Sequence, residues 1–417
     1  MTPTAHSKEL SMMENSSPLA GIRVVELTSY VAAPSCSRIL ADWGAEVIKV
    51  EPPSGDIWRY FGTTMFTPAN EEENPFWDIM NSNKRGIALD LKLTEGQEIL
   101  HKLLKRADVF LTNARPDVLK KMNLDYESLK EKYPGLIYAL VTGFGENGPD
   151  AHKPGFDIVA YWARSGFLVD LVKPDEYPLY SPAGFGDLSV GSALFGGICA
   201  SLFNRQKTGS GEKISISLYG TAIWFSAILI TAAQERYGNK FPKARMEGNP
   251  MAIPYRCKDG EWIIIAILEY ERHWSALCKA VEREELIFDR RFKTRADMLA
   301  HRGELIPILE EAFASKESDE WIDLLEEAEI VVERIRHFRE VPKDEQAWAN
   351  NFVYETRFAN GEKAILPNTP LKLAECRLSP CKRGPLLGEH TKEVLEELGY
   401  SLEQIEQMKK NKIVVSR

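Results

Sequence analysis

The chain of 417 residues lacks the glycine-rich turns that identify common cofactor-binding folds. The turn after its first predicted strand, residues 28–34, reads TSYVAAP. Dinucleotide-binding proteins carry G-x-G-x-x-G at this place so that the backbone can approach a pyrophosphate. The chain also has no GxxxxGKS/T phosphate loop and no GxSxG nucleophile turn. A nicotinamide or flavin cofactor is therefore disfavoured.

Cysteine is scarce as well, with six residues spread over the chain and no CxxC pair. A disulfide framework needs a higher density of cysteine in a much shorter secreted chain, and a zinc site needs closely spaced ligands. We therefore predict thiols of a reducing compartment and no metal site. The six residues are Cys36, Cys199, Cys257, Cys278, Cys376 and Cys381.

Positive charge is in deficit, because 52 Lys and Arg residues face 61 Asp and Glu residues, a formal net charge of -9. Nucleic-acid binding needs a basic surface and is disfavoured, whereas a local basic pocket for a small anion is compatible with this charge. No stretch approaches the roughly 18 uninterrupted apolar residues of a membrane span. Residues 1–18 are predicted to be a disordered leader, since they lack the apolar core of a signal peptide. We expect a cytoplasmic protein that binds neither membrane nor nucleic acid.

The chain is rich in alternating strand and helix patterns. Strands are predicted at 22–27, 46–51, 86–90, 108–112, 135–142 and 213–218, with intervening helices that include 35–42, 95–104 and 187–206. Parallel strands require such crossovers, so the pattern predicts a doubly wound α/β fold. Prolines after residue 240 mark a linker. We predict a large domain over 19–240, a small domain over 241–343 and a C-terminal part, 344–417, that returns to the large domain.

Four residues are candidates for catalysis, and each has an ordinary structural alternative. Cys36 stands near a predicted helix start, where a thiolate is stabilised, but it is equally a small packed residue. His273 and His390 have no nucleophile beside them in the sequence. Asp187 follows Gly184-Phe185-Gly186 and precedes a long apolar helix. It is either the N-cap of that helix or a carboxylate that the glycines leave open to a bulky substrate.

Seven stretches in order along the chain resemble the class III coenzyme A-transferases, the family of formyl-CoA transferase and carnitine CoA-transferase. They begin near Leu19 and read PLAGIRVVEL with LADWGAEVIKVEPPSGD, NSNKRGIALDLK, LTNARP, KPGFD, FGDLSVG, KTGSGEKISISL and GPLLGEHTKEVLEELGY. Within the family, the stretches SPAGFGD, YRCKDGEW and DEQAWAN are most similar to enzymes of amino-acid fermentation that act on 2-hydroxy acids, the 2-hydroxyisocaproate and phenyllactate CoA-transferases.

The resemblance implies a Rossmann-like large domain formed by the N- and C-terminal parts of the chain, a smaller inserted domain and an interlocked homodimer. It implies that Asp187 attacks the donor thioester and forms a mixed anhydride, then an aspartyl-CoA thioester that serves the incoming acid. Asp157 matches an acidic residue of a second active-site turn, although a turn-forming role is an equal interpretation. Coenzyme A is a cosubstrate, with no permanently bound cofactor.

The family's contacts with coenzyme A map onto short segments of this chain. Three cations among these segments, Lys92, Arg115 and Lys121, can pair with the phosphates of coenzyme A. Without the resemblance we would interpret them as ordinary surface charges. Val31 stands where the formyl-CoA enzymes have a glutamine, and Pro52 where they have an arginine. The mapped positions are Val31, Ala32, Leu89, Asp90, Leu91, Lys92, Asn113, Ala114, Arg115, Lys121, Pro154, Gly155 and Phe156.

A second activity in the same family is 2-methylacyl-CoA racemisation, which uses the histidine of a GHD turn as a base. This chain has Gly155-Phe156-Asp157 there, and phenylalanine cannot exchange a proton. A transferase is therefore favoured over a racemase and over a non-catalytic acyl-CoA-binding module. Carnitine or a bile acid stays an alternative acceptor. Large apolar residues that belong either to the acid pocket or to the core are Tyr30, Phe61, Phe76 and Trp77.

Overall fold

The structure, a computed structural model, describes residues 17–376 and 378–417. The predicted leader, residues 1–18, lies almost entirely outside the described residues. The described chain forms two compact units. The first comprises residues 17–167 and 180–231 with the described part of 346–417, and the second comprises residues 168–179 and 232–345.

The strands are numbered in chain order. They are β1 (Arg23–Leu27), β2 (Glu46–Glu51), β3 (Arg85–Leu89), β4 (Val109–Thr112), β5 (Ile137–Thr142), β6 (Lys213–Ser217), β7 (Pro254–Arg256), β8 (Trp262–Ile265), β9 (Val332–Arg334), β10 (Val353–Arg357), β11 (Lys363–Pro367) and β12 (Val414–Val415).

The α-helices are numbered in the same way, and a seven-residue π-helical turn, Asp157–Ala163, precedes α7. They are α1 (Ala32–Asp42), α2 (Trp58–Phe61), α3 (Pro75–Asn81), α4 (Thr94–Leu104), α5 (Pro116–Lys121), α6 (Tyr126–Lys130), α7 (Phe167–Asp170), α8 (Phe185–Thr208), α9 (Leu218–Phe225), α10 (Ala227–Ala232), α11 (Tyr270–Ala280), α12 (Arg295–Ala300), α13 (Arg302–Phe313), α14 (Ser318–Glu327), α15 (Glu345–Ala349), α16 (Thr391–Glu397) and α17 (Leu402–Lys410).

A seven-stranded sheet is the centre of the first unit. Its strand order is β12-β3-β2-β1-β4-β5-β6, and every pair except β12 with β3 is parallel. The chain leaves β1 towards β2 on one side and later returns to β4 on the other. Ligands of such sheets bind in the crevice at this reversal, at the carboxyl ends of the strands. The predicted α/β fold with a large parallel sheet is confirmed, whereas the antiparallel edge strand β12 was not predicted.

The core of the first unit is built from the aliphatic faces of the strands and of amphipathic helices. Ile99, Leu100 and Leu103 of α4 pack into it with Val394 and Leu395 of α16. Side chains on both faces of a parallel sheet need such cover, because a face left open would expose a continuous apolar surface. The same unit also contains the antiparallel hairpin of β10 and β11.

The second unit has its own antiparallel sheet, in the order β7-β8-β9, and its own core. Ile263 and Ile265 of β8 point into this core, and Trp274 of α11 and Trp321 of α14 fill much of its volume. The indole N–H of Trp321 donates to the Phe313 carbonyl at 2.7 Å, so its burial leaves no polar atom unsatisfied.

Helix α8 contains glycines where it crosses α1. A Cβ atom on Gly191 would lie 1.9 Å from the Ser35 Oγ and 2.9 Å from the Ala32 carbonyl oxygen. Only glycine permits this approach, although glycine costs about 1 kcal/mol in a helix relative to alanine. Within the described residues, α8 is the one helix long and apolar enough to cross a membrane by length and composition, and its extensive packing on α1 is typical of a core helix.

Candidate active site

Turns that follow β1 and β4 are tied together at the carboxyl edge of the sheet. The Ser29 N–H donates to the Asn113 Oδ1 at 3.0 Å, and the Asn113 amide donates back to the Ser29 carbonyl at 2.8 Å. The chain beyond β5 turns back so that Gly155 meets Gly143 at the end of that strand. The predicted segments 31–32, 89–92, 113–115 and 154–157 thus all follow the parallel strands at the edge where ligands of this fold class bind.

Asp187 lies in the first turn of α8, on the third helical residue. The helix is capped by Gly184, which has φ +75°, and no side chain supplies a capping hydrogen bond. The interpretation of Asp187 as the N-cap is therefore wrong. The reason is that glycine can adopt the left-handed conformation of this tight entry, which moves the helix start upstream of the aspartate. The Asp187 carboxylate is left available for chemistry.

Asp157 opens the π-helical turn and is 7% exposed. Neither of its carboxylate oxygens has a hydrogen bond of good geometry. The Tyr161 hydroxyl and the Trp162 indole N–H of the same turn are also buried and make no hydrogen bond of good geometry. Buried polar atoms are nearly always satisfied, and π-helical turns concentrate at functional sites. Four buried polar atoms without a well-formed hydrogen bond in one turn therefore indicate a site suited to a polar group.

Glycine at position 186 lets the two turns meet. A Cβ atom there would lie 2.2 Å from the Asp157 Oδ1 and 2.4 Å from the Tyr161 ring. The site also depends on the pair Gly143 and Gly155, because a Cβ on either would come within 2.6 Å of the other's Cα atom. These three glycines are required by close approach rather than by chain flexibility.

The two aspartates influence each other electrically. Burial, and then the charge of Asp157, raise the pKa of Asp187 from 3.8 to about 7. Burial raises the pKa of Asp157 from 3.8 to about 6, although the backbone N–H groups of Gly184 and Gly186 and the Trp162 indole lower it. The N-terminus of a helix ordinarily favours a carboxylate. Its effect on Asp187 is thus outweighed by desolvation and by a like charge, a combination characteristic of active sites.

The predicted contacts with coenzyme A divide by exposure. Lys92, Arg115 and Lys121 are exposed, and none has an ion-pair partner in the part of the chain that the structure describes. Phe156 is 54% exposed, and Pro154 is also exposed. By contrast, the side chains of Val31, Ala32 and Leu89 are at most 6% exposed. Any ligand contact at these three positions must therefore use backbone atoms. The remaining predicted positions, Asp90, Leu91, Asn113, Ala114 and Gly155, are half-buried.

Three of the other candidates, Cys36, His390 and Trp77, have structural roles. Cys36 is fully buried, and burial together with Glu26 raises the pKa of its thiol far above the usual range, so it is a packed cysteine. The Nδ1 atom of His390 accepts the Gly86 N–H at 3.1 Å. Of the four aromatic residues, Trp77 is in the core, with its indole N–H on the Pro385 carbonyl at 3.0 Å.

Sequence reasoning missed one feature of the site, the conformation of Tyr30. Its φ of +63° is left-handed, which is rare for a non-glycine residue. Its ring meets the Phe156 ring edge to face, with centroids 5.2 Å apart. A signal was present in the sequence, because a turn that needs special backbone geometry and lacks glycine must place another residue in it.

Known proteins resemble this chain over nearly its whole length. The model of CoA-transferase family III matches residues 19–391. The chain is 43% identical over 397 residues to the (R)-2-hydroxy-4-methylpentanoate CoA-transferase of Clostridioides difficile, covering 95% of this chain and 99% of the relative. It is 37% identical over 409 residues to the cinnamoyl-CoA:phenyllactate CoA-transferase of Clostridium sporogenes, covering 97% and 99%. A solved CAIB/BAIF family protein from Brucella suis is 30% identical with a TM-score of 0.78, covering 92% of this chain and 100% of that one.

Proposed function

The chain belongs to CoA-transferase family III, and on that premise we propose that it moves coenzyme A from an acyl-CoA to a 2-hydroxy carboxylic acid through a thioester on Asp187. The acceptor class is supported by two relatives of nearly full length whose names specify 2-hydroxy acids. The mechanism is supported chiefly by one observation. A carboxylate with a pKa of about 7 stands in a glycine turn beside a second carboxyl group.

The chemistry takes four displacements at carbonyl carbon. The Asp187 carboxylate attacks the donor thioester, giving a mixed anhydride and coenzyme A thiolate. The thiolate attacks the aspartyl carbonyl, which releases the donor acid and leaves coenzyme A as a thioester on Asp187. The acceptor carboxylate then displaces the thiolate and forms a second anhydride. Attack of the thiolate on the acceptor's carbonyl gives the new acyl-CoA and regenerates Asp187, so that one difficult exchange is divided into easier steps.

The raised pKa of Asp187 serves this sequence. A carboxylate is a weak nucleophile, and one whose anion is poorly solvated is more basic and more reactive. At neutral pH a group with a pKa of about 7 is still ionised in about half of the molecules. We assign Asp157 the role of the neighbouring charge that, after burial, keeps the Asp187 anion destabilised.

Coenzyme A carries phosphates that need cations. Lys92, Arg115 and Lys121 follow β3 and β4 and are exposed. Arg115 can hold a phosphate by two parallel hydrogen bonds, whereas the two lysines act as point charges. We assign these three residues to the phosphates and the backbone of the segment 154–156 to the pantetheine arm. We infer no permanently bound cofactor.

An assembly of two chains is also part of the proposal. Three helices of the first unit carry large apolar side chains that are 54–83% exposed. These are Phe203 of α8, Trp224 and Phe225 of α9, and Ile228 of α10. Exposed apolar side chains of this size are common at protein interfaces. We propose a homodimer that covers them, in the cytoplasm. A racemase is not favoured, since Phe156 occupies the place of the family's proton-exchanging histidine.

Mass spectrometry tests the central step. After incubation with a donor acyl-CoA without an acceptor, a peptide that contains Asp187 should gain the mass of coenzyme A less that of one water molecule, and Asp187→Ala should abolish both the adduct and turnover. Asp319→Ala is the matched control, because Asp319 also lies in the first turn of a helix and is exposed. Full turnover by Asp187→Ala would falsify the assignment. Exchange of an α-proton in a 2-methylacyl-CoA without transfer would instead establish the racemase.

A further inference from the structure

A fully buried set of charges lies beneath the turn after β1. The Glu26 carboxylate pairs with Lys49 Nζ at 3.0 Å and with Lys84 Nζ at 2.9 Å. Lys49 Nζ also pairs with the Asp56 Oδ2 at 3.0 Å. Two acids and two lysines balance, so that the set is neutral. Charges are buried at a large desolvation penalty, and a compensated network of this kind is retained where it fixes one particular conformation.

The network is connected to the backbone of that turn at several atoms. The Thr28 hydroxyl donates to Glu26 at 2.5 Å, and Lys49 Nζ donates to the Thr28 carbonyl at 3.1 Å. The Asp56 Oδ1 accepts the Tyr30 N–H at 3.3 Å and the Trp58 N–H at 3.0 Å. Side chains from distant segments therefore hold the turn in place of the glycines of a dinucleotide-binding fold. They also stabilise Tyr30 in its left-handed conformation, which is strained for a residue other than glycine.

That conformation sends the Tyr30 ring towards the catalytic turns. One side of the ring packs against the cluster of Val31, Trp58, Trp77 and Met80. Its other neighbour is Phe156, the residue directly before Asp157. Val31 in turn lies within reach of Gly184, since a Cβ on that glycine would be 3.9 Å from the Val31 Cγ1. The two rings are thus an apolar surface, partly open to solvent, beside the turn that contains Asp157.

We infer that Tyr30 and Phe156 form the wall against which the side chain of the acceptor acid packs, with Tyr30 as the specificity-determining residue and Asp56 as its positioning residue. The inference rests on the proposed function. It specifies the acceptor as a 2-hydroxy acid with a branched aliphatic or aromatic side chain. Small acids such as lactate leave this wall uncovered by substrate and lose its contribution to binding in the transition state.

The test compares kcat/KM for 2-hydroxy-4-methylpentanoate and for lactate at a fixed donor. In a ping-pong reaction, kcat/KM for the acceptor does not depend on the steps that involve the donor. The ratio of kcat/KM for the two acids therefore reports how each acid interacts with Tyr30 and Phe156. Tyr30→Ala should lower kcat/KM for the branched acid about 10- to 100-fold, the range of small apolar contacts in a pocket, and should change lactate by less than about threefold. Tyr30→Phe should keep the wild-type ratio. Tyr60→Ala, at another tyrosine of the first unit, is the control.

Asp56 is tested by coupling. Asp56→Ala should lower the ratio of kcat/KM for 2-hydroxy-4-methylpentanoate to that for lactate. Asp56→Asn should have a ratio close to that of the wild type, because the asparagine oxygen again accepts the Tyr30 N–H. The double variant Asp56→Ala with Tyr30→Ala should have the same ratio as Tyr30→Ala alone. A merely structural role would lower kcat for both acids equally and leave the ratio unchanged. An unchanged ratio in Tyr30→Ala overturns the inference, and it does so even if Asp56→Ala fails to fold. A wild-type protein that charges no 2-hydroxy acid overturns the proposed function instead.

Discussion

Replacing the proposed nucleophile should make the protein more stable while it abolishes transfer. Burial and then the charge of Asp157 raise the pKa of Asp187 from 3.8 to about 7, which corresponds to about 4 kcal/mol of destabilisation of the ionised group. The side chain is only partly buried, and solvent screens part of this effect. We therefore expect Asp187→Asn to gain about 2 kcal/mol at pH 8, measured as a higher midpoint of thermal unfolding.

The sign of the pH dependence distinguishes this account from a general packing effect. The folded chain retains the Asp187 proton to a higher pH than the unfolded chain does, so wild-type stability falls as pH rises from about 4 to about 7. The advantage of Asp187→Asn should therefore be complete at pH 8 and small near pH 4. Asp150→Asn is the control of opposite sign, because Lys153 and Arg164 lower the pKa of Asp150. A stability gain that is absent at pH 8, or equal at both pH values, would refute the reasoning.

Two further predictions concern the same turns. The kcat/KM of transfer should rise with pH through a midpoint near 7 as Asp187 ionises. Asp157→Asn should move that midpoint to lower pH, because it removes the neighbouring negative charge. A midpoint that Asp157→Asn leaves unchanged would contradict the electrostatic coupling of the two aspartates. Gly186→Ala should reduce the rate of transfer at least tenfold, because the added Cβ collides with the Asp157 carboxylate and the Tyr161 ring. Gly196→Ala in the same helix is the control: its Cβ meets open space, so this variant should be fully active and slightly more stable than the wild type. Equal activity of the two alanine variants would show that the approach of the turns is unimportant.

Much of the first unit could be predicted because its pattern is local. β-branched runs separated by helical segments predicted the parallel strands, and β2 was predicted with its observed bounds, Glu46–Glu51. The glycines of α8 differ in their surroundings, because Gly191 packs closely on α1 whereas Gly196 faces open space. Composition shows that a helix contains glycine, but which glycine meets a neighbour depends on the crossing point of two helices.

Features that depend on distant contacts could not be predicted. The two-residue strand β12 exists because β3 offers it an edge, and nothing in its own length predicts a strand. Lys49 lies between the apolar residues Ile48 and Val50 of β2, and its buried partners Glu26 and Asp56 come from other segments. The position of Asp187 was predicted to follow the glycine turn. Its charge environment arises from Asp157, thirty positions earlier in the chain, and only the folded turn brings the two together.

The contact between Gly143 and Gly155 has a consequence for how this enzyme can diverge. The backbones of the two glycines lie against each other, so residues 144–154 form an excursion whose two ends lie at one place. Lengthening or shortening that excursion would leave the direction in which the chain enters the Asp157 turn unchanged. We therefore expect that the length of the excursion can vary without relocating the two proposed catalytic carboxyl groups.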